Sequence, residues 1–542
     1  MAKKELKYIF VSGGVISGVG KGTITASISR LLSDHGYKVA PVKIDMYLNL
    51  DAGTIRPAEH GEVFVLDDGL ECDQDLGNYE RFLGRSLNKN NYMTSGQVYY
   101  SVIQRERSFG YNGEDVETIP HITDEIINRI RKAGEDDEAD IVIVELGGTV
   151  GEYQNGIFFE ASRLIELKNP SNVIHIHVAY LPVPVNLGEM KTKPVQQSVM
   201  LLNAMGIQPD FVLIRSSENL DDPRRKKISI YCKIPIEAVI ETPDVDTIYK
   251  VPLILSEQNL DTLILKKFNL PVKEKESHKK WKNVVKNIDK SQNNELLKIG
   301  IIGKYFKIGS FSLADVYISV LESLKHAYWS VNRKTDIVWI DGEDIENGKF
   351  EQLNKIKGMV VPGGFGTRAI EGILKAIEFA RVNNIPYLGL CYGMQLATIE
   401  FARNVCGLKD ANTTEIDKNT KHPVIHIIPE QRKKLLAKEY GASMRLGAWP
   451  AIIKKDSNAY KAYQTETISE RHRHRYEFNN SYRDVLEKKG LMITGTSPDG
   501  HIVEIIEIKD HPFFIATQFH PEFKSNPLNP HPLFKAFIEA CL

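Results

Sequence analysis

Apolar residues in this chain gather in short blocks set apart by longer stretches of mixed polarity. Tyr8 to Ser12, Val39 to Ile44, Ile141 to Leu146, Val173 to Ala179 and Phe211 to Arg215 are such blocks, and Thr23 to His35 after the first has a helical pattern. Brief, almost uninterrupted apolar runs suit strands buried on both faces, and the gaps are long enough to hold helices. Strands alternating with helices predict an α/β fold with a doubly wound, mostly parallel sheet. A second series follows at Lys298 to Ile302, Ile337 to Ile340, Gly358 to Val361 and Pro386 to Leu390, and ends in hairpin-like segments at Val503 to Glu507 and Phe513 to Phe519. The pattern therefore predicts two unlike α/β domains, 1–270 and 296–542. Between them, 271–295 is rich in lysine and poor in large apolar residues, which reads as a solvated interdomain linker. Within it Trp281, Val284, Val285 and Ile288 share helical spacing, so a short helix docking one face is the alternative.

Composition narrows the function classes. The 542 residues carry 69 Lys and Arg against 70 Asp and Glu, a net charge of -1, which removes the electrostatic footprint of a dedicated nucleic-acid binder. No apolar run approaches the ~18 residues of a membrane helix. The start, MAKKELKYIFVSGG, offers only YIFV before Ser12, too short for the core of a signal peptide. The five cysteines are scattered and form no Cys-x-x-Cys pair, which points away from a disulfide framework or zinc finger and towards a reducing cytoplasm.

Two stretches carry chemistry. In SGGVISGVGKGT, glycines 13, 14, 18 and 20 precede Lys21 between a strand and a helix. Backbone N–H groups and the positive helix end can cradle phosphate there, with one ammonium for the outer phosphates. The loop departs from G-x4-GK-[ST], since Gly22 follows Lys21, and Thr23 stands where the usual hydroxyl sits. Phosphoryl transfer calls for Mg²⁺ on carboxylate oxygens, for which Asp75 and the strand-end Glu145 are candidates. Lys43 and Asp45 close the second strand at the ligand-facing edge of such a sheet.

Farther on, Gly389-Leu390-Cys391-Tyr392-Gly393 is a G-x-C-x-G analogue of a nucleophile elbow, where a helix N-terminus favours the thiolate. His520 and Glu522, in QFHPEF, supply a base and its orienting acid if the fold brings them to Cys391. Pro362 to Gly366, PGGFG, offers unhindered N–H groups for an oxyanion. The pairs His472/His474 and His175/His177 lack a cysteine or acid at ligand spacing and are read as structural rather than metal-binding.

GGVISGVGKG, HGEVFVLDDG, DLGNYERF, PHITDEI, GGTVG, GEMKTKPVQ, PGGFG, GLCYGMQ, MRLG, ERHRHRYEFN and QFHPEF, in this order, resemble the motifs of the CTP synthase family over nearly the whole chain. The resemblance implies a P-loop-type synthetase domain followed by a class I glutamine amidotransferase domain. ATP would phosphorylate O4 of UTP, and ammonia from glutamine, passed between domains, would displace the phosphate to give CTP. It implies Ser17, Gly18, Gly20, Lys21, Gly22, Thr23 and Lys43 for ATP, and Asp75 and Glu145 for Mg²⁺. Ser12, Lys191, Thr192, Lys193, Gln196 and Lys227 are implied for the UTP/CTP site, and His60 and Val63 for the ammonia passage. In the second domain it implies Cys391, His520 and Glu522 as the triad, Gly363 as oxyanion donor, and Gln395, Glu415 and Arg475 for glutamine. GTP activation, a homotetramer with filaments as a further possibility, and no nucleic-acid or membrane partner come with it.

The chain departs from that pattern at Met46, Glu152, Gln154, Val195 and Tyr392, most of them near the implied pyrimidine nucleotide site. Two rival readings stay open on the residues alone. One is an amidotransferase with another acceptor, since deviant P-loops also resemble those of dethiobiotin and cobyrinic acid synthetases. The other is a catalytically idle scaffold.

Overall fold

The computed structural model describes residues 5–542 apart from 187, 274–277, 293, 304–306, 309–310, 313, 365, 367 and 428–443, with side chains left aside at 58, 60, 307–308, 311–312 and 314–315. The chain forms two compact units, Met1–Asp51 with Asp75–Val285, and Ala52–Gln74 with Lys286–Leu542.

The first unit is built on β1 (Lys7–Gly14) and β2 (Val39–Asp45); β3 (Val63–Val65) and β4 (Glu71–Asp73) belong to the second unit. The first sheet continues with β5 (Tyr92–Thr94), β6 (Ile141–Leu146), β7 (Val173–Tyr180), β8 (Phe211–Ser216) and β9 (Val239–Pro243), in the order β5-β2-β6-β1-β7-β8-β9. Every pairing is parallel. β2 and β6 are buried along their whole length, as their apolar runs require when helices cover both faces. Helix α1 (Lys21–Asp34) follows β1, and α2 (Lys193–Ala204) begins with Pro194 in its first turn.

The lysine-rich connector is not a solvated strand of chain. Residues His278–Ser291 form helix α3, and Trp281 is fully buried, its indole N–H donating to Tyr249 O at 2.9 Å. Arg30 lies over the Trp281 ring at 5.6 Å. Burying one indole outweighs the solvation preference of the exposed lysines around it, which remain in water on the opposite face.

In the second unit β10 (Leu296–Gly303), β11 (Lys334–Asp341), β12 (Gly358–Val361), β13 (Tyr387–Leu390), β14 (Arg445–Ile453), β15 (Thr467–His474), β16 (Leu491–Thr496), β17 (Val503–Ile508) and β18 (Phe514–Thr517) form one sheet. Its order is β11-β10-β12-β13-β18-β17-β16-β14-β15. The first five strands are parallel and the rest antiparallel, so the apolar hairpins at the end of the chain extend a parallel sheet. Helix α4 (Tyr392–Asn404) leaves β13 and is buried along most of its length.

Segment Ala52–Gln74 is sequence-distant from the rest of this unit and held to it by specific contacts. Asp67 accepts from Arg471 Nε at 2.5 Å, and its carbonyl accepts from Ala448 N at 2.9 Å. Glu71 accepts from Arg473 Nε at 2.7 Å, Glu62 accepts from Ser319 N at 3.1 Å, and Phe64 meets Phe523 edge-on at 5.0 Å. Partly buried charge pairs of this kind fix register more than they add stability.

Candidate active sites

In the first unit β1 delivers the glycine-rich loop directly into α1, whose first residue is Lys21. Burial holds the Lys21 ammonium below its ordinary pKa, and Lys43 adds to that push while Glu145 and Asp75 oppose it. Lys21 Nζ donates to Gly148 O at 2.7 Å. Gly22 lies so close to Asp75 that a Cβ there would stand 2.1 Å from Asp75 Oδ1, which explains why the residue after the lysine has no side chain. Lys43 Nζ donates to Asp75 Oδ2 at 2.5 Å and to Glu145 Oε1 at 2.9 Å, with Asp45 Oδ1 at 3.9 Å. Tyr79 OH donates to the other Glu145 oxygen, and burial raises its pKa well above the ordinary phenol value, helped by the Glu145 charge. Lys21, Lys43, Asp75 and Glu145, from four separate elements, thus share one small charged centre.

The remaining nucleotide candidates are spread over several places. Thr192, Lys193 and Gln196 open α2, where Gln196 Nε2 donates to Thr192 Oγ1 at 3.0 Å, and Lys191 precedes them, paired with Glu189. Lys227 is exposed on the helix Asp222–Cys232. Ser12 stands apart: it is buried, with its hydroxyl 2.9 Å from His177 Nδ1, while His177 Nε2 lies 2.8 Å from Ser198 Oγ on α2. Burial, with a smaller push from Lys21, lowers the His177 pKa to about 3, so this imidazole is a neutral strut. Ser17 and Gly18 are exposed in the loop, and Thr23 lies in the first turn of α1.

In the second unit three neighbouring strands end at one place. β12 leads to Gly363, β13 to Cys391 and β18 to Gln518 and His520, with Val361 opposite Gly389 and Leu390 opposite Thr517. Cys391 N continues the ladder by donating to Thr517 O at 2.7 Å. Strand pairing is therefore what brings the remote His520 beside the thiol. Cys391 caps α4 with φ 48° and ψ -94°, a conformation that costs a non-glycine residue roughly 1–3 kcal/mol. That turn aims its sulfur out of the sheet at the positive end of a helix.

His520 Nδ1 lies 2.7 Å from Glu522 Oε1. Burial alone would lower the His520 pKa, but the charges of Glu522 and Cys391 outweigh it and raise the value to about 10. A Cβ on Gly363 would stand 2.7 Å from His520 Cε1, so only glycine fits there. Cys391, Gly363, Gln395, Glu415, Arg475, His520 and Glu522 all line one cavity of about 770 Å³. Gln395 is fixed by donating to Tyr476 O at 2.9 Å, and Glu415 accepts from Gly366 N at 3.3 Å. Val63, from the inserted segment, lines the same cavity; the side chain of His60 lies outside the described residues.

Two contributors escaped the reading of the sequence. Arg473 O lies 3.8 Å from Cys391 Sγ, and Gln518 Nε2 donates to that sulfur at 3.6 Å. Gln518 was legible in principle, because it precedes His520 by two and so points to the same side of an extended segment. His472 and His474 are buried: His472 Nε2 lies 2.8 Å from Glu504 and His474 Nδ1 3.0 Å from Tyr476 O. Among the described residues no helix is long and apolar enough to cross a membrane.

Residues 7–270 match the family model for the CTP synthase N-terminus, and residues 312–540 that for class I glutamine amidotransferases. A CTP synthase of Caldanaerobacter subterraneus subsp. tengcongensis is 50% identical over 99% of this chain and 98% of its own length. The chain belongs to the CTP synthase family. A CTP synthase of Methanocaldococcus jannaschii is 49% identical over 99% of both chains, and that of Bacillus subtilis 46% identical over 98% of both. CTP synthases are glutamine-hydrolysing ligases, so this chain is an enzyme with a synthetase half and a glutaminase half.

Proposed function

We propose that this chain aminates UTP at C4 to CTP, using ATP in the first unit and glutamine in the second. The thiolate of Cys391 attacks the glutamine amide carbon, Gly363 N–H stabilises the oxyanion, and His520 gives a proton to the departing ammonia. Water then hydrolyses the glutamyl thioester, with His520 as base and Glu522 holding the ring by its Nδ1. Gln395, Glu415 and Arg475 hold the amino-acid end of glutamine. In the first unit O4 of UTP takes the γ-phosphoryl of ATP, releasing ADP, and ammonia displaces the phosphate at C4. Lys21 and Lys43 neutralise charge on the phosphates, and the N-terminal turn of α2 with Lys191, Lys193 and Lys227 receives UTP or CTP.

The pair Asp75 and Glu145 beside the loop fits Mg²⁺, which takes one or two carboxylates and leaves its other positions to substrate phosphates and water. Bound there, the ion would supply charge neutralisation for the phosphoryl group. GTP activation, a homotetramer and a cytoplasmic location belong to this proposal through the family.

The observation that carries the reading is the convergence of Gly363, Cys391 and the His520–Glu522 pair on one cavity, joined in the same chain to Lys21 and Lys43 amid two acids. The test is CTP formation from UTP, ATP and Mg²⁺ with glutamine or with ammonium chloride. Cys391→Ala loses the glutamine-dependent reaction and keeps the ammonia-dependent one. A folded wild type that makes no CTP from either nitrogen source overturns the assignment of UTP.

A further inference from the structure

The glutaminase centre contains a polar group that the triad does not use. Gln518 is fully buried at the end of β18, anchored by its own N–H to Glu504 O at 2.8 Å. Its side-chain Nε2 donates to Cys391 Sγ at 3.6 Å, while its Oε1 is buried with no hydrogen-bond partner among the described residues. A buried amide with one end unmatched is a liability to folding, and a residue kept only for packing would be apolar at that point. The matched end is the one aimed at the sulfur. Beside His520, Arg473 O lies 3.8 Å from Sγ and can only accept, so it suits the thiol and opposes the thiolate. Gln518 N–H suits the thiolate.

We propose that Gln518 is a further catalytic residue of the glutaminase, whose amide N–H holds the Cys391 sulfur as thiolate, aimed at the substrate carbon. This rests on the reading of Cys391 as the nucleophile and deepens it. His520 is the only acid–base group of the triad, and it must turn its Nε2 proton towards the leaving ammonia. The sulfur carries its charge before it bonds the amide carbon and again as it leaves when water hydrolyses the thioester, and in those steps a backbone-anchored amide is a donor that does not move. No step changes its balance: the proton from the thiol still goes to His520 and from there to ammonia.

The charged and imidazole groups lining the cavity around the sulfur are His520 and Glu522 after β18, Arg473, His474 and Arg475 at the end of β15, Glu415, and Arg56 and Glu62 from Ala52–Gln74. Glu71 pairs with Arg473 behind them. All of these stay in place in the two test variants. Gln518→Met keeps the length and removes the donor; Gln518→Glu keeps the shape and replaces the donor with an acceptor. The measurement is the rate of Cys391 alkylation by iodoacetamide against pH, read on the Cys391 peptide by mass spectrometry, with melting curves as the check on folding.

Wild-type Cys391 should alkylate ahead of Cys72, Cys232, Cys541 and the less buried Cys406, whose thiol is held above its ordinary pKa by burial. Each variant should need a higher pH for half-maximal rate, Gln518→Glu the higher of the two, and kcat for glutamine hydrolysis should fall about 10- to 100-fold with little change in KM. Should the Met variant fail to fold, the isosteric Glu variant decides alone. If folded variants alkylate with the wild-type pH profile, Gln518 is not a thiolate donor and the proposal falls. If wild-type Cys391 is not the preferentially alkylated cysteine, the nucleophile assignment falls first.

Discussion

The two reactive centres of this chain solve different problems. In the first unit, Lys21, Lys43, Asp75 and Glu145 come from four elements: Lys43 meets the two acids through side chains, and Lys21 Nζ is held by Gly148 O. In the second, the reactive atoms are fixed by the backbone: Cys391 sits in a left-handed turn at a helix start, Gly363 has no space for a Cβ, and both follow directly from paired strands. A centre that works on a substrate's own phosphates needs charge of the right sign within a few ångströms, and long side chains suffice. A centre whose protein atom forms a bond to substrate must place that atom to within a fraction of an ångström, and only backbone geometry does so. The histidines differ in the same sense. His177 is held neutral as a strut and His520 is held protonated as an acid.

That contrast can be broken at several points. The largest effect belongs to Lys21→Ala, which should lower CTP synthesis from glutamine and from ammonia alike by about 10²- to 10³-fold. A loss confined to glutamine would place Lys21 in the wrong half-reaction. Gly363→Ala drives a methyl into the His520 ring and should cost glutamine hydrolysis about 10²-fold while the ammonia-dependent rate stays near wild type. Equal loss from both nitrogen sources would mean that the backbone of the second unit is not specific to the thiol chemistry.

Glu71→Gln tests whether the inserted segment serves the thiol centre. It removes the charge that holds Arg473, whose carbonyl faces Cys391 Sγ, and should reduce kcat for glutamine about 10-fold. An unchanged kcat with a lower melting temperature would make the pair purely structural.

The smallest effect is on stability against pH. The His520 pKa is raised in the folded state, from 6.5 to about 10, so its stabilisation is fully present below 6.5 and is lost as pH rises through about 10. Glu522→Gln should therefore lower the melting temperature by roughly 1–3 °C at neutral pH and by less near pH 10. His177 has the opposite sign: its pKa is lowered to about 3, so its contribution is present above 6.5 and lost as pH falls towards 3. A calorimetric series in which the Glu522→Gln difference grows with pH would refute the protonated state of His520.

Much of the molecule could be read directly from the chain. The core strands, the loop before Lys21, the elbow at Cys391 and the His-Pro-Glu run are local patterns, in which periodicity or glycine spacing encodes the backbone. Trp281 shows the limit of such reading: composition around it is that of a solvated connector, and its burial depends on Tyr249 and Phe82, far away in sequence. Arg473 is hidden for the same reason, since its partner is the sulfur of Cys391, whereas Gln518 shows itself only through its position two before His520.

By itself, then, the sequence determined the α/β class and the family, and pointed to the phosphate loop and the candidate nucleophile, because each is written in residues close together along the chain. Only the tertiary structure decided that Ala52–Gln74 packs with the glutaminase unit, that Lys43 bridges Asp75 and Glu145, and that Gln518 faces the thiol. Those facts arise from strand register and from buried charge pairs between distant segments, and long-range pairing leaves no periodic trace in the sequence.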